Sequence, residues 1–244
     1  MNVSKILGII PARYASTRFP GKPLADICGK TMIERVYTQA MKAKLLSDVV
    51  VATDDARIYD CVKSFGGKVL MTGSQLPNGT ARCHEAAKLY GDRADSVINI
   101  QGDEPLLDPI MIDEVAELLS ENYCVTLCRE LTQDFMNPNI VKVVMNLSGD
   151  ALYFSRSLIP YERNKVNQPV YQHIGIYGYS LSFLNKYAAL EPTPLSESES
   201  LEQLKILEHG YKIRVKITSC KSESIGVDTP EDLQRVREII NAGI

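Results

Sequence analysis

Residues 5–24 read KILGIIPARYASTRFPGKPL, and this stretch decides the fold. Its first half is a short apolar run that ends at Pro11, which predicts a buried β-strand. Its second half is basic, with Arg13, Arg18 and Lys22 among glycine, proline and hydroxyl side chains. In a parallel sheet, ligands bind beyond the carboxyl ends of the strands. We therefore expect a loop that holds an anion directly after the first strand.

Segments typical of strands and of helices alternate along most of the remaining chain. Strands are predicted at 48–53, 68–71, 96–101, 140–146, 173–180, 212–218 and 224–227, and helices at 31–44, 55–65, 80–90, 109–120, 196–209 and from 229 onwards. Capping residues mark three of the helix starts, at Thr31, Ser196 and Thr229. This order predicts an α/β fold with a mostly parallel twisted sheet and helices on both faces. We expect one domain, 1–244, with a smaller mixed subdomain inserted at approximately 130–205.

The composition is that of an ordinary globular protein. The chain has 244 residues, with 27 Lys and Arg against 30 Asp and Glu, which gives a formal net charge of −3. This balance argues against non-specific nucleic-acid binding, which needs clustered positive charge. No apolar run approaches the roughly 20 residues of a membrane span, so we expect neither a span nor a signal peptide. The six cysteines form no CxxC pair, and we expect buried, reduced thiols.

Two interpretations of the basic loop at 13–22 are open on composition alone. It could be a solvated turn stiffened by proline, or it could supply the guanidinium, ammonium and backbone donors that a triphosphate needs. It is not a P-loop, because GxxxxGK[ST] would need Ser or Thr where Pro23 stands, and it does not match GxGxxG. Its place after the first strand of a parallel sheet favours phosphate binding.

Two aspartates follow predicted strands and so lie where a parallel sheet gathers its site. Asp103 follows the strand at 96–101, and Asp228 follows the strand at 224–227. Mg²⁺ is typically held by one or two protein carboxylates, with phosphate oxygens and water as further ligands. As alternatives, Asp103 could be a plain turn residue, and Asp228 could supply negative charge at the N-terminus of the last helix.

A set of motifs together carries a resemblance to a known family. They are PARYASTRFPGKPL at 11–24, VATD at 51–54, NGTAR at 78–82, QGDEP at 101–105, YFSR at 153–156, HIGIYGY at 173–179, LEQL at 201–204 and VDTPED at 227–232. In this order they resemble the sugar-activating nucleotidylyltransferases, and within them the CMP-Kdo synthetases, where Kdo is 3-deoxy-manno-octulosonate. The resemblance implies a nucleotide-diphospho-sugar transferase-like fold and a cytoplasmic homodimer. It also implies that CTP and Kdo, an acidic octulosonate sugar, give CMP-Kdo and diphosphate for lipopolysaccharide biosynthesis.

The resemblance also implies roles for individual residues. The catalytic residues would be Lys22, Arg13, Asp103 and Asp228, with Mg²⁺ held by the two aspartates. The nucleotide site would comprise Pro11, Ala12, Arg13, Ser16, Arg18, Lys22, Ala52, Thr53, Asp54, Gly79, Thr80, Arg82 and Gln101. The sugar site would comprise Gln101, Arg156, His173, Tyr177, Glu202 and Gln203. The inserted subdomain would carry sugar-binding and dimer contacts.

Two positions depart from the family pattern. Ala81 stands where the family usually has an acidic residue, and Asn78 where it often has Ser. Without a carboxylate at position 81, Arg82 either gains freedom or loses an orienting partner. Apart from the resemblance, Arg82 could be a surface helix residue, and His173 could be a structural histidine.

Other functions stay open on the sequence alone. The same transfer could go to another acidic sugar, such as 8-amino-Kdo or a sialic acid. A sugar-1-phosphate nucleotidylyltransferase would need a cationic phosphate subsite on the acceptor side, which the sequence does not reveal. A nucleotide-sensing protein without activity is disfavoured by the presence of Lys22, Asp103 and Asp228.

Overall fold

The computed structural model describes residues 5–15, 19–91, 93–222 and 225–243. The chain forms two compact units: Met1–Glu117 with Cys220–Ile244 make unit 1, and Leu118–Ser219 make unit 2. The insertion predicted at approximately 130–205 falls inside unit 2, which extends further in both directions. In the described ranges, no helix is long and apolar enough to cross a membrane.

The strands and helices occupy most of the described chain. The strands are β1 (Ile6–Ala12), β2 (Asp26–Ile27), β3 (Lys30–Thr31), β4 (Asp48–Thr53), β5 (Val69–Met71), β6 (Ser96–Asn99), β7 (Cys124–Glu130), β8 (Lys142–Met145), β9 (Ala151–Ser155), β10 (Tyr171–Ser180) and β11 (Arg214–Ile217). The α-helices are α1 (Met32–Ala40), α2 (Ala56–Ser64), α3 (Gly79–Tyr90), α4 (Pro109–Leu118), α5 (Leu181–Tyr187), α6 (Pro194–Ser198), α7 (Gln203–Glu208) and α8 (Pro230–Asn241).

Unit 1 contains a parallel sheet with the strand order β6-β1-β4-β5. Every residue of β6 is buried, and β1 and β4 are buried apart from one residue each. Such uninterrupted apolar strands are typical of parallel sheets that are covered on both faces. The predicted parallel sheet is therefore confirmed in unit 1, and its carboxyl ends lead to Arg13, Asp54 and Gln101.

Side-chain caps begin the helices of unit 1. The hydroxyl of Thr31 accepts the backbone N–H of Glu34 at 3.4 Å, and that of Thr229 accepts the N–H of Asp232 at 3.2 Å. Both predicted caps are confirmed. α1 nevertheless ends at Ala40, four residues before the predicted position 44.

Unit 2 contains a mixed sheet. β7 pairs with β11 in parallel and with β10 antiparallel, and β8 pairs antiparallel with both β10 and β9. β7 and β9 were not predicted from the sequence. The partners of β7 are distant along the chain, since Cys124 lies opposite Tyr179, and local periodicity carries no information about such pairing.

The helix predicted at 196–209 is wrong. Two short helices, α6 and α7, stand in its place, and Ser200 between them has φ of 51°. This left-handed conformation cannot continue an α-helix, so the helix is broken there. The predicted cap at Ser196 is also wrong: Thr193 begins α6, and the Ser196 hydroxyl accepts the Thr193 backbone N–H at 2.9 Å.

Two further predictions need correction. Residues 225–227, the described part of the strand predicted at 224–227, have no strand conformation. All six cysteines are free, as expected, but only Cys83, Cys124 and Cys128 are buried, whereas Cys28 is exposed. Burial raises the pKa of the Cys128 thiol to about 12, so that this thiol stays protonated.

Candidate active site

Lys22 lies between the two aspartates that the sequence singled out. Its Nζ donates to Asp103 Oδ2 at 2.7 Å, to Asp228 Oδ1 at 3.1 Å and to the carbonyl oxygen of Val227 at 3.0 Å. Burial by itself would lower the pKa of the Lys22 ammonium, but the two carboxylates outweigh that cost and hold the pKa above its ordinary value. The structure thus brings together three predicted catalytic residues that lie 81 and 206 positions apart.

Glycines allow the loops to approach closely enough for this cluster to form. Gly21, directly before Lys22, has φ of 72°, and a Cβ there would lie 3.0 Å from the Tyr14 ring. A Cβ on Gly102 would lie 2.7 Å from the carbonyl oxygen of Pro11. A larger residue would be strained at Gly21 by its positive φ and would collide with the backbone of Pro11 at Gly102. The backbone N–H of Val227 donates to the Asp103 carbonyl at 2.9 Å and joins the third segment to the other two.

Asp228 is directed at Lys22, while another residue caps the helix that follows. Thr229 is the N-cap of α8, and the Asp232 carboxylate accepts the backbone N–H groups of Asp228 and Thr229 at 3.0 and 2.9 Å. The N-terminus of α8 is therefore satisfied without the Asp228 carboxylate. This arrangement argues against the alternative that Asp228 serves only the helix terminus.

The carboxylate pair offers ligands of the type that a divalent cation prefers. Both carboxylates converge on one positively charged atom, the Lys22 Nζ, so the pair faces a point of positive charge. Within the described part of the chain there is no group of three or more His, Cys, Asp or Glu residues that could hold a metal. A metal at this pair would need further ligands from phosphate oxygens and water, which is the usual arrangement for Mg²⁺.

The cluster borders a cavity of about 580 Å³ in unit 1. This volume is in the range of small-molecule sites. Its lining includes these predicted site residues: Pro11, Ala12, Arg13, Lys22, Gly79, Arg82, Gln101, Asp103 and Asp228. It also includes Ala15, Pro23, Asn78 and Gly102, which were not predicted to be site residues. All four could have been inferred, because each lies inside one of the quoted motifs.

Arg13 contacts the loop that precedes α3. One of its guanidinium nitrogens, Nη2, donates to the carbonyl oxygen of Leu76. At the end of that loop, Asn78 caps α3 by accepting the Ala81 N–H at 2.8 Å, so the change from Ser to Asn retains a cap. The N-terminus of α3 begins at Gly79 on the cavity wall, where backbone N–H groups favour an anion.

Arg82 is a fully buried residue, not a surface helix residue. Its Nη2 donates to Asp54 Oδ2 at 2.9 Å, and its Nη1 donates to Thr72 Oγ1 at 2.6 Å. Its Nε is buried and has no hydrogen-bond partner among the described residues. Asp54 thus supplies the orienting carboxylate that Ala81 lacks, and the guanidinium is held at the cavity edge.

Four predicted nucleotide residues among the described ones, Ala52, Thr53, Asp54 and Thr80, do not line the cavity. Ala52 and Thr53 are fully buried in β4, and the Thr53 carbonyl accepts the Thr72 hydroxyl at 3.1 Å. Thr80 is buried in the first turn of α3. Asp54 acts through Arg82. Ser16 and Arg18 lie outside the described residues.

In unit 2, Arg156 donates to three backbone carbonyls. Its Nε donates to Glu199 at 2.8 Å, its Nη1 to Pro138 at 3.0 Å and its Nη2 to Ser200 at 3.4 Å. Much of the donor capacity of this predicted sugar-binding residue therefore holds the chain itself.

His173 and Tyr177 lie in a row of aromatic rings in unit 2. His173 is 5.1 Å from Phe154 and 5.3 Å from Tyr177, whose ring stacks on Tyr179 at 5.8 Å. Burial lowers the pKa of His173 to about 3, so the imidazole is neutral, and its Nε2 lies 3.1 Å from the Thr126 hydroxyl. The buried Tyr177 hydroxyl makes no hydrogen bond of ordinary geometry to a described residue.

Glu202 and Gln203, two of the predicted sugar-binding residues, lie at the start of α7. Glu202 is the N-cap residue by position, and its Oε2 accepts the Tyr187 hydroxyl at 3.1 Å. Glu202 is exposed and Gln203 is half-buried, so both side chains can be reached by a ligand. Their mutual position depends on Ser200, which sets the direction of α7.

Comparisons with known proteins agree with this geometry. The cytidylyltransferase family profile matches residues 7–216. The 3-deoxy-manno-octulosonate cytidylyltransferases of Protochlamydia amoebophila and Geobacter sulfurreducens are 48% and 49% identical to this chain. Each alignment covers 96% of this chain, with 93% and 98% of the respective relative. The mitochondrial 3-deoxy-manno-octulosonate cytidylyltransferase of Arabidopsis thaliana is 46% identical over 97% of this chain and 83% of its own.

The fold is also shared with solved structures. A CMP:2-keto-3-deoxy-manno-octonic acid synthetase complexed with CTP superposes with a TM-score of 0.93 at 40% identity, over 99% of this chain and all of that one. A cytidylyltransferase from Leptospira borgpetersenii, at 19% identity and a TM-score of 0.66, shares the fold over 98% of this chain and 87% of its own. The predicted α/β fold is confirmed, and the chain belongs to the cytidylyltransferase family.

Proposed function

We propose that this protein activates Kdo by transferring the cytidylyl group of CTP to the anomeric hydroxyl of the sugar, with release of diphosphate. The relatives that match nearly the whole chain carry the name of this activity. The structural observation that carries the proposal is the convergence of Lys22, Asp103 and Asp228 at one cavity. A cationic side chain beside two carboxylates is the arrangement that phosphoryl and nucleotidyl transfer needs.

The reaction is a displacement at the α-phosphorus of CTP. The anomeric hydroxyl forms a bond from its oxygen to this phosphorus and releases its proton to solvent, and the bond from the phosphorus to the bridging oxygen of the β-phosphate breaks. Negative charge therefore grows on the departing diphosphate. The Lys22 ammonium and the Arg13 guanidinium border the cavity and place positive charge beside the oxygens of the diphosphate, which would stabilise the transition state.

We further propose that Asp103 and Asp228 hold Mg²⁺. When bound, the ion supplies positive charge that offsets the charge of the triphosphate. Backbone N–H groups at the start of α3, beside Gly79, would add donors without a charged side chain. The buried Arg82 guanidinium, fixed by Asp54, adds a positive charge whose position does not depend on the ligand.

On the acceptor side, we assign hydrogen bonding to His173 and Tyr177. With its pKa lowered to about 3, the His173 imidazole is a weak base and is uncharged at neutral pH. It can exchange a hydrogen bond with a sugar hydroxyl, but it is poorly suited to remove a proton. The buried Tyr177 hydroxyl needs a polar partner, which a sugar hydroxyl would supply.

We also propose that the protein acts as a homodimer through an apolar face of unit 2. A cavity of about 1150 Å³ is lined there by Phe135, Met136, Leu158, Tyr161 and Val166 among others. Met136, Tyr161 and Val166 are 76%, 88% and 71% exposed. Clustered exposed apolar side chains favour a partner surface. Light scattering should give twice the chain mass, and Met136→Glu should give a monomer; a monomeric wild-type protein would contradict this proposal.

The test of the function is a mass-spectrometric assay of CTP with Kdo. CMP-Kdo and diphosphate should appear in equal amounts. Parallel reactions with 8-amino-Kdo, a sialic acid and a sugar 1-phosphate show whether another acceptor is used better. A kcat/KM for one of these that clearly exceeds that for Kdo would overturn the assignment.

We also propose that the reaction takes place in the cytoplasm, where CTP is available. Fractionation of the source cells would test this location.

A further inference from the structure

A partly buried hydrogen-bond network in unit 2 links the end of β9 to the segment between α6 and α7. Glu199, the C-cap residue of α6, is at its centre. Glu199 Oε1 accepts the Ser155 hydroxyl at 2.6 Å, and its Oε2 accepts the backbone N–H of Arg156 at 2.9 Å. The sequence analysis gave no role to Glu199.

Arg156 completes the link in the opposite direction. Its guanidinium donates to the carbonyl oxygens of Glu199 at 2.8 Å and of Ser200 at 3.4 Å, and also to that of Pro138 at 3.0 Å. Two segments more than 40 positions apart are thus joined twice. The Glu199 carboxylate accepts from the backbone of Arg156, and the Arg156 guanidinium donates to the backbone of Glu199. Such reciprocal charged hydrogen bonds are stronger and more directional than neutral ones.

Lys142 holds the network from the other side. Its side chain is fully buried, and its Nζ donates to the carbonyl oxygens of Asn137 at 2.7 Å and of Arg156 at 2.9 Å. Neither contact is with a carboxylate. A buried ammonium that is satisfied by neutral carbonyls is costly to desolvate, and a methionine would pack in its place without that cost. Stability alone therefore does not explain why a lysine stands here.

The network acts on the segment that leads to the predicted sugar residues. Ser200, in its left-handed conformation, follows Glu199, and Glu202 and Gln203 follow it at the start of α7. A non-glycine residue keeps such a backbone conformation only when its surroundings hold it there. In this protein the side chain of the preceding residue, Glu199, is anchored to the backbone of Arg156, and the Arg156 guanidinium donates to the carbonyl oxygens of Glu199 and Ser200.

We propose that Glu199 and Lys142 are positioning residues for the acceptor sugar: they fix Arg156 and the start of α7, and so hold Glu202 and Gln203 in one arrangement. This inference rests on the proposed function, because it takes the acceptor to be the sugar bound by these residues. Burial would raise the pKa of the Glu199 carboxyl, but its hydrogen bonds outweigh this and lower it, so the carboxylate stays charged.

The test compares Glu199→Ala, Glu199→Gln and Lys142→Met with the wild-type protein. Glu199→Ala and Lys142→Met should raise KM for Kdo by about tenfold or more and change KM for CTP by less than about twofold. Glu199→Gln keeps the shape and one acceptor oxygen, so its KM for Kdo should lie between those of the wild type and Glu199→Ala. Glu197→Ala, an exposed position on the same helix, is the matched control and should leave both KM values unchanged.

Hydrogen exchange supplies a readout that does not depend on turnover. In Glu199→Ala or, if that variant does not fold, in Glu199→Gln, the amides of 199–204 should exchange faster, while those of α3 should not. An unchanged KM for Kdo in the variants would overturn the proposal and leave the function intact. Equal rises in KM for Kdo and for CTP, with faster amide exchange throughout the protein, would mean a purely structural role and would also overturn the proposal. A wild-type protein that does not use Kdo would overturn the proposed function, and exchange in 199–204 would still decide whether the network holds this segment.

Discussion

The ion pair between Asp54 and Arg82 gives the sharpest prediction about stability. Asp54→Asn keeps the size of the side chain and an oxygen that can accept from Arg82 Nη2, but it removes the negative charge. The guanidinium it leaves behind is fully buried, while Asp54 itself is 18% exposed. A buried charge without its partner is strongly destabilising, because neither water nor a counter-charge replaces the lost interaction.

The magnitude follows from these exposures. Removal of one partner from a buried pair costs about 3–5 kcal/mol. Because Asp54 is partly exposed and asparagine still accepts a hydrogen bond, we expect a loss of about 2–3 kcal/mol in the free energy of unfolding. For a chain of this size that lowers Tm by about 4 to 12 °C. Since Arg82 borders the cavity, KM for CTP should also rise several-fold.

The neighbouring residue provides the control. Asp55 pairs with Arg57 at 2.7 Å, but the Arg57 side chain is 58% exposed, and asparagine caps a helix as well as aspartate. Asp55→Asn should therefore leave Tm nearly unchanged in the same thermal melts. Adding Arg82→Met to Asp54→Asn removes both charges and should recover part of the loss. Equal effects of Asp54→Asn and Asp55→Asn would refute the reasoning about burial.

Three further outcomes follow from the same structure. Lys22→Ala should lower kcat/KM for CTP by about a hundredfold or more with little change in Tm. Lys30→Ala, at an exposed position in β3, should leave kcat/KM unchanged, and steady-state kinetics checks both variants. His173 is protonated near its ordinary pKa of 6.5 in the unfolded chain but only near 3 in the folded chain. The stability that the neutral imidazole contributes is therefore complete above pH 6.5 and is lost as the pH falls below 6.5. A shift of one pKa unit corresponds to about 1.4 kcal/mol, and the partial exposure of His173 reduces this. The wild-type protein should therefore lose about 1–2 kcal/mol more unfolding free energy between pH 7 and pH 5 than His173→Gln does. Equal losses for the two proteins in urea titrations would contradict the burial argument. Tyr177→Phe should raise KM for Kdo without changing KM for CTP, and an equal rise in both would remove Tyr177 from the acceptor side.

Local patterns predicted unit 1 well. Its strands are short apolar runs, and its helices begin at capping side chains such as Thr31 and Thr229, so the information lies within a few residues of each element. The meeting of Lys22 with Asp103 also follows from the sheet, because both lie beyond carboxyl ends of parallel strands. No described residue of 225–227 is in a strand, and Asp228 is brought to Lys22 instead by the hydrogen bond from the Val227 backbone N–H to the Asp103 carbonyl.

Long-range contacts could not be predicted in this way. The orienting partner of Arg82 is Asp54, 28 positions away, and nothing near Arg82 in the sequence indicates its burial. The break between α6 and α7 comes from the left-handed conformation of Ser200, a residue that has no intrinsic preference for it. Lys142 lies in a short apolar strand, and its buried contacts to two carbonyls depend on segments that only the folded chain brings together.

The measurement that tests the account most directly is the turnover of Asp103→Asn with saturating CTP, Kdo and Mg²⁺. The substitution keeps the shape of a residue whose carboxylate contacts Lys22 at 2.7 Å and removes the charge that a cation needs. We expect a loss of at least about a hundredfold in kcat, or about 3 kcal/mol, with a Tm close to that of the wild type. Asp108→Asn, five positions later and outside the lining of the cavity, should keep normal turnover. Near-normal turnover of Asp103→Asn, with a lowered Tm, would contradict the assignment of this cluster as the catalytic centre.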